Sequence, residues 1–335
     1  VLTDTGKPKI DETILKEIPG AEDFVSFLTL QKRLSQLSTG NSAWLKLVST
    51  DGRIHGSVIT VGCATARASH VHPNTAQIPA VRSYLGTECR TLFGPNVLPN
   101  CSPPKGRLSK KNPMVEEDSP KEVGCDLSGI EARALAHYLW PFDGGSFARE
   151  VIEGDVHSAN QRAAGLPTRD DAKTFFYALI YGAGSEKLGK ITNQDGKKLK
   201  RKYYKNMPAL AELTKRVTSK AESEGFVKAI DGRPITIRSP HSALNFLLQS
   251  CGAIISKLWY NICYDELIKA GYKYGKDWSF LAHVHDEIQF AAKAPIAEDV
   301  ARIATTSSEI AGDRLRMRIT IESEYKIGSN WAECH

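Results

Sequence analysis

The sequence predicts an α+β fold, and three observations predict it. Strand-like and helix-like runs follow one another without the regular βαβ rhythm of a doubly wound sheet. A short apolar strand, VGCDLS, runs straight into the helical stretch GIEARALAHYLW. A long helical stretch at 241–271 is followed by SFLAHVHDEIQF, which reads as strand, tight turn, strand.

The other elements follow in chain order. Phe24, Phe27, Leu28, Leu34 and Leu37 recur at mostly helical spacing, and Gly40 stops the run. DGRIHGSVIT alternates as a strand does, and HPNTAQIP is a turn. Residues 94–121 hold six prolines and almost no apolar periodicity, so they read as a mobile surface insertion. Helical patterns run from 151 to about 228, KAIDGRPITI reads as a hairpin, 296–315 as a helix, and RMRITIESEYKIG as a last strand.

The bulk numbers bound the class. The chain has 335 residues, 41% hydrophobic and 24% charged, which suits a globular protein with a sizeable core. No apolar run approaches the roughly 20 residues of a membrane span, and the polar opening VLTDTGKPKIDE is unlike a secretion signal. The formal net charge of +6 fits a polyanionic partner without requiring one. Seven cysteines, none spaced C-x-x-C, argue against a disulfide framework or a structural zinc site and for reduced thiols in a cytoplasmic setting.

Two carboxylates stand where chemistry is expected. Asp126 ends an apolar strand just before a helix, and Asp286 stands where two strands meet. A bare carboxylate among apolar neighbours is expensive, and a divalent cation would relieve it. Two converging Asp can hold the metal pair that in-line phosphoryl transfer uses. Equally, Asp126 reads as a helix N-cap and Asp286 with Glu287 as a plain hairpin turn, and the local pattern leaves both readings open.

LPTRDDAKTFFYALIYGAG is the most informative stretch. Thr168 starts a helix with Asp170 and Asp171 in its first turn. Arg169, Lys173, Tyr177 and Tyr181 recur every fourth residue and share one face, while Phe175, Phe176, Leu179 and Ile180 supply packing. Two cations followed by two phenols suit a triphosphate at one end and a sugar and base at the other. The competing reading is a solvated face with snorkelling side chains.

These residues also carry a resemblance. GCDLSGIEARALAHY, RDDAKTFFYALIYGAGSEKLG and AHVHDEIQF, in that order, resemble motifs A, B and C of the family A DNA polymerases, above all those of short-tailed bacteriophages. The resemblance implies a right-hand architecture: base of the thumb at 1–50, palm at 51–150 and 241–335, fingers at 151–240. It implies addition of dNTPs to a primer 3′-hydroxyl with two Mg²⁺ ions, or Mn²⁺ in their place. Asp126 and Asp286, with the Leu127 carbonyl, match the metal ligands. Arg169, Lys173 and His157 match triphosphate contacts, with Lys173 as a proton donor to the leaving pyrophosphate. Tyr177 matches the residue under the incoming sugar, Glu131 the screen of its 2′ position, and Tyr181 the stack at the template. TARASHVHPNTAQIP and NFLLQSCGA carry Arg67, Asn245, Gln249 and His285 onto minor-groove contacts, where recognition is nearly independent of sequence.

Leu127, Gly129 and Ala66 depart from the cellular family pattern. The basic run GKKLKRKYYKN reads first as a solvated helix and second as a template-phosphate contact. The expected partners are primer–template DNA, dNTPs and an N-terminal thumb and exonuclease portion in cis or trans. The rival expectations are a split-polymerase subunit inert without that portion and a non-catalytic DNA-binding remnant.

Overall fold

The computed structural model of the chain describes residue 6, residue 8, residues 10–95 and residues 119–334. The expected insertion at 94–121 therefore lies almost wholly outside the described residues.

A four-stranded antiparallel sheet is the centre of the fold. Its strands are β3 (Lys121–Leu127), β6 (Trp278–Val284), β7 (Glu287–Ala292) and β8 (Ser323–Gly328), in the order β6-β7-β3-β8. Val123, Cys125, Leu127, Ile288 and Phe290 are essentially inaccessible and form one core with α12 (Ala243–Lys269) and α13 (Ala297–Arg314). Trp259 joins those helices by donating its Nε1–H to the Ala304 carbonyl at 2.7 Å.

The other sheet face is covered as well, since all six residues of β7 are buried. Glu287 and Gln289 point into a second, smaller core built on Trp44, Ile78, Cys89 and Trp331. Gly124 is needed there, since a Cβ would lie 2.6 Å from the Cys334 carbonyl oxygen. That core joins the sheet to α3 (Trp44–Leu47) and α4 (Gly86–Thr91), in an N-terminal segment that also holds α1 (Glu12–Leu15), α2 (Glu22–Leu34), β1 (Ser57–Ile59) and β2 (Ser69–Val71). The expected helix around Phe24–Leu37 is present as α2, continued by a π-helical turn at Ser35–Thr39. Its apolar side is not buried: Phe24, Phe27, Leu30 and Leu34 are exposed among the described residues.

A helical body follows β3. It contains α5 (Ile130–Asp143), α6 (Ser146–Ile152), α7 (Val156–Ala164), α8 (Arg169–Ile180), α9 (Ser185–Thr192), α10 (Gly196–Asn206) and α11 (Pro208–Glu224), and ends in the hairpin β4 (Phe226–Lys228) and β5 (Pro234–Thr236). Asp155, Thr168 and Asp195 cap three of these helices by accepting from backbone N–H groups in the first turn. Buried Tyr203 donates to Asn160 Oδ1 at 2.6 Å and ties α10 to α7.

The expected last strand over RMRITIESEYKIG is shorter, because Arg133 donates to the Thr320 carbonyl and the Glu322 carboxylate. The chain reaches the ladder only at Ser323.

Candidate active site

The sheet brings the two predicted carboxylates side by side. Asp126 is paired in register with Glu287, and Asp286 occupies the two-residue turn between β6 and β7. The Leu127 N–H donates to the Asp286 carbonyl at 3.0 Å, closing the ladder at this end. Burial is the first cause that lifts both acids. Asp126 is pushed up to about 8, with Asp286 as the next contributor, and Asp286 to about 6, with Glu131 as the next. Two hard-oxygen donors that resist ionising together are the chemistry a divalent cation satisfies. Among the described residues no set of three His, Cys, Asp or Glu side chains forms a full cage. Asp126, Asp286 and the neighbouring Leu127 carbonyl fit an ion that takes its remaining ligands from phosphate and water.

Glu131, in the first turn of α5, lies beside this pair. Its Oε1 accepts from Tyr181 Oη at 2.5 Å and from Arg67 Nη2 at 3.3 Å. Arg67, Glu131, His285 and Asp286 line one small cleft. Burial first, then the Glu131 carboxylate, raises the Tyr181 phenol. Arg67 is itself presented by Ala66, a left-handed residue with φ 62°. The Lys257 ammonium on α12 donates to the Ala66 and Thr60 carbonyls and fixes that bend.

The face predicted on α8 is present, running from Arg169 to the C-cap Tyr181. Phe175, Phe176, Leu179 and Ile180 are buried on the opposite side, as the spacing predicts. Tyr177 and Tyr181 stack with centroids 6.4 Å apart, and the His157 ring lies 5.9 Å from Tyr177. Arg169 is held by Asp155 through two hydrogen bonds. The His157 imidazole is lowered first by burial, then by the Arg169 and Lys173 charges, all of which disfavour its charged form. Lys173 is exposed on this face.

Asn245 and Gln249 lie half-buried on the first turns of α12, and Asn245 Oδ1 is buried with no hydrogen-bond partner. His285 is exposed beside Asp286. The structure thus divides the predicted residues into a carboxylate end (Asp126, Asp286, Glu131, Arg67, His285) and a cationic, aromatic face on α8.

Three features escaped the sequence reading. Asp155 was legible only as a residue before a helix. Glu287 is a buried acceptor, bonded to Trp331 Nε1 and Gln289 Nε2 and 3.7 Å from Arg90. Ser256, on the apolar α12, carries no sequence signal beyond its small size.

Comparison with known proteins shows the family. The family model for DNA polymerase family A matches residues 2–333. The chain is 41% identical over 361 residues to the DNA-directed DNA polymerases of Enterobacteria phage T3 and Escherichia phage T7. Those alignments cover 99% of this chain and 49% of each relative, so the chain spans about half the length of the curated relatives it matches. DNA polymerase I of Treponema pallidum (strain Nichols) is 25% identical over 350 residues, covering 97% of this chain and 32% of the relative. The fold is similar to the POL domain of Pol1 from M. smegmatis, solved in complex with DNA primer-template and dNTP, with a TM-score of 0.79 at 22% identity, over 100% of this chain and 58% of that one. On the family match and the level of identity, the chain belongs to DNA polymerase family A.

Proposed function

We propose that the chain is the nucleotide-adding portion of a DNA-directed DNA polymerase. The observation that carries the reading is the placement of Asp126 and Asp286 on hydrogen-bonded neighbours, next to Glu131, which accepts from Tyr181 at the end of α8. Residues 51–150 and 241–335 make the palm, 151–240 the fingers, and 1–50 the base of the thumb.

In this reading the substrates are a primer–template duplex and dNTPs. Asp126, Asp286 and the Leu127 carbonyl would hold Mg²⁺, which when bound would supply Lewis-acid chemistry to phosphoryl transfer. Arg169, Lys173 and His157 bind the triphosphate, Arg169 as a planar fork and Lys173 as a point charge. Lys173 also stands ready to give a proton to the departing pyrophosphate. Tyr177 lies under the incoming sugar, Glu131 excludes a 2′-hydroxyl, and Tyr181 closes the template side. Arg67, Asn245, Gln249 and His285 face the minor groove near the primer end. The basic helix α10 presents Lys197, Lys198, Arg201, Lys202 and Lys205 to solvent, as its first reading expects. A setting in phage DNA replication, in the cytoplasm of an infected cell, belongs to the same proposal and is supported by the 41% identity to two phage polymerases.

Extension of a labelled primer by the chain, with Mg²⁺ and each dNTP in turn, tests the proposal. Template-directed addition that depends on both Asp126 and Asp286 is the expected result. Addition without regard to template, or survival of activity in both Asp→Asn variants, overturns it.

One observation favours a second reading, a catalytic subunit that works only with a further polypeptide. The helix α2 exposes Phe24, Phe27, Leu30 and Leu34 along its length. Extension that appears only on adding a thumb and exonuclease portion would select it.

A further inference from the structure

The residue before Asp286 is left-handed, and one hydroxyl holds it. His285 has φ 59°, a conformation that residues with a Cβ avoid. Ser256, 1% exposed on α12, donates to the His285 carbonyl at 2.5 Å. The same Oγ lies 2.7 Å from His283 Nε2.

A hydroxyl has one hydrogen. The His285 carbonyl has none, so the Ser256 hydrogen occupies that contact. The contact to His283 is then a hydrogen bond only if the ring nitrogen supplies the second hydrogen. His283 is thereby fixed as the Nε2–H tautomer. The ring cannot turn away easily: it stacks on Tyr260 at 5.1 Å and 23°, and Tyr260 stacks on Phe280 at 3.9 Å and 21°. An ordered path therefore runs from the aromatic stack through His283 and Ser256 to the peptide that carries Asp286.

We propose that Ser256 and His283 are positioning residues for the Asp286 carboxylate: the imidazole N–H orients the Ser256 hydroxyl, and the hydroxyl holds the His285 carbonyl so that Asp286 faces Asp126. The inference rests on the reading of Asp286 as a metal ligand. It assigns a role to two side chains that touch neither substrate nor metal. A misplacement of about 1 Å at a reacting centre costs on the order of 100-fold in rate, so a lost turn anchor has room to act.

The test uses the full chain with primer–template and the correct dNTP. Ser256→Ala should lower kcat for single-nucleotide addition by about 10- to 100-fold, with KM for dNTP changed less than about twofold. Mn²⁺ titrated by electron paramagnetic resonance should bind the same complex more weakly, by a similar factor. Ser256→Thr, which keeps the hydroxyl, should recover most of both. In ¹⁵N-histidine NMR of the unsubstituted chain, His283 should carry its proton on Nε2. An Nδ1–H tautomer, or full kcat and Mn²⁺ affinity in Ser256→Ala, overturns the proposal. If Ser256→Ala does not fold, the tautomer still decides. If the unsubstituted chain adds no nucleotide either alone or with an added thumb and exonuclease portion, the polymerase reading fails, while the tautomer reports on the anchor separately.

Discussion

Arg169 Nε donates to Asp155 Oδ2 at 2.7 Å and its Nη2 to Oδ1 at 3.1 Å, so the guanidinium expected to meet a triphosphate is already met by a carboxylate fork. The Arg169 guanidinium, by its hydrogen bonds, is the first cause that holds the Asp155 carboxyl well below the usual range. Both partners are about half-exposed, so solvent screening leaves the pair little net strength. In the proposed reading, a triphosphate would have to displace Asp155 from Arg169. Asp155→Asn keeps the cap on α7 and removes the charge. It should lower KM for dNTP by up to about fivefold with the melting temperature little changed. A raised KM would show that Asp155 orients Arg169 instead of competing for it.

If Arg169 and Lys173 bind the triphosphate as proposed, Arg169→Ala and Lys173→Ala would each remove a charge-assisted contact worth about 1.5–3 kcal/mol. Each should lose roughly 10- to 150-fold in kcat/KM for dNTP, with primer–template affinity nearly constant. Loss of DNA affinity with normal dNTP kinetics would place α8 elsewhere in the complex.

Asp126→Asn or Asp286→Asn should abolish addition, because one neutral ligand leaves the remaining carboxylate short of charge for a metal pair. Rapid-quench measurement of a single addition reads this directly, and near-native rates in either variant would remove the metal assignment.

Tyr177 and Glu131 should govern sugar selection. A phenol at the Tyr177 position can donate a hydrogen bond in place of a missing 3′-hydroxyl, so dideoxynucleotides should terminate synthesis readily and Tyr177→Phe should discriminate against them. Glu131→Ala should admit ribonucleotides more easily. It should also free Tyr181 and Arg67, both of which Glu131 now holds. Competition between dNTP, ddNTP and rNTP on one template measures all three effects.

Glu122 gives a pH dependence separate from catalysis. It is 2% exposed, and burial first, then the Glu287 charge, pushes it up to about 8 from 4.5. Between those values the folded state holds a proton that the unfolded state has lost. Stability is therefore fully present below 4.5 and falls as pH rises towards 8, at up to about 1.4 kcal/mol per pH unit. Glu122→Gln should flatten this slope in denaturant melts from pH 5 to 8.5, a range set by roughly those two pKa values. An unchanged slope would mean that Arg90 keeps Glu122 ionised throughout.

Much of this site is legible in the sequence because its signals are local. Asp126 and Asp286 stand at strand ends marked by their neighbours, and the fourfold spacing of Arg169, Lys173, Tyr177 and Tyr181 sets a helix face directly. The parts that escaped depend on residues distant in the chain. Glu287 and Gln289 alternate with Ile288 and Phe290 as solvent-facing residues would, yet Trp331 and Arg90 cover them. Asp155 looks like a cap because it is one, and its second partner lies one helix later. Ser256 reads as a small core residue until the turn at His285 is brought against it. The apolar side of α2 shows the reverse case, a correct helix whose periodicity promised a burial that the described residues do not supply.

The β3–β7 ladder separates two kinds of change. The distance between Asp126 and Asp286 is set by backbone hydrogen bonds between adjacent strands, a spacing that varies little from one sheet to another. The whole helical body from α5 to α11 is spliced into the chain between those strands. Chimeras that exchange α7 to α10 for the equivalent helices of a relative should therefore inherit the donor's nucleotide preferences while retaining the host's metal requirement. Recombination within this family can in that way trade selectivity without rebuilding the reaction centre.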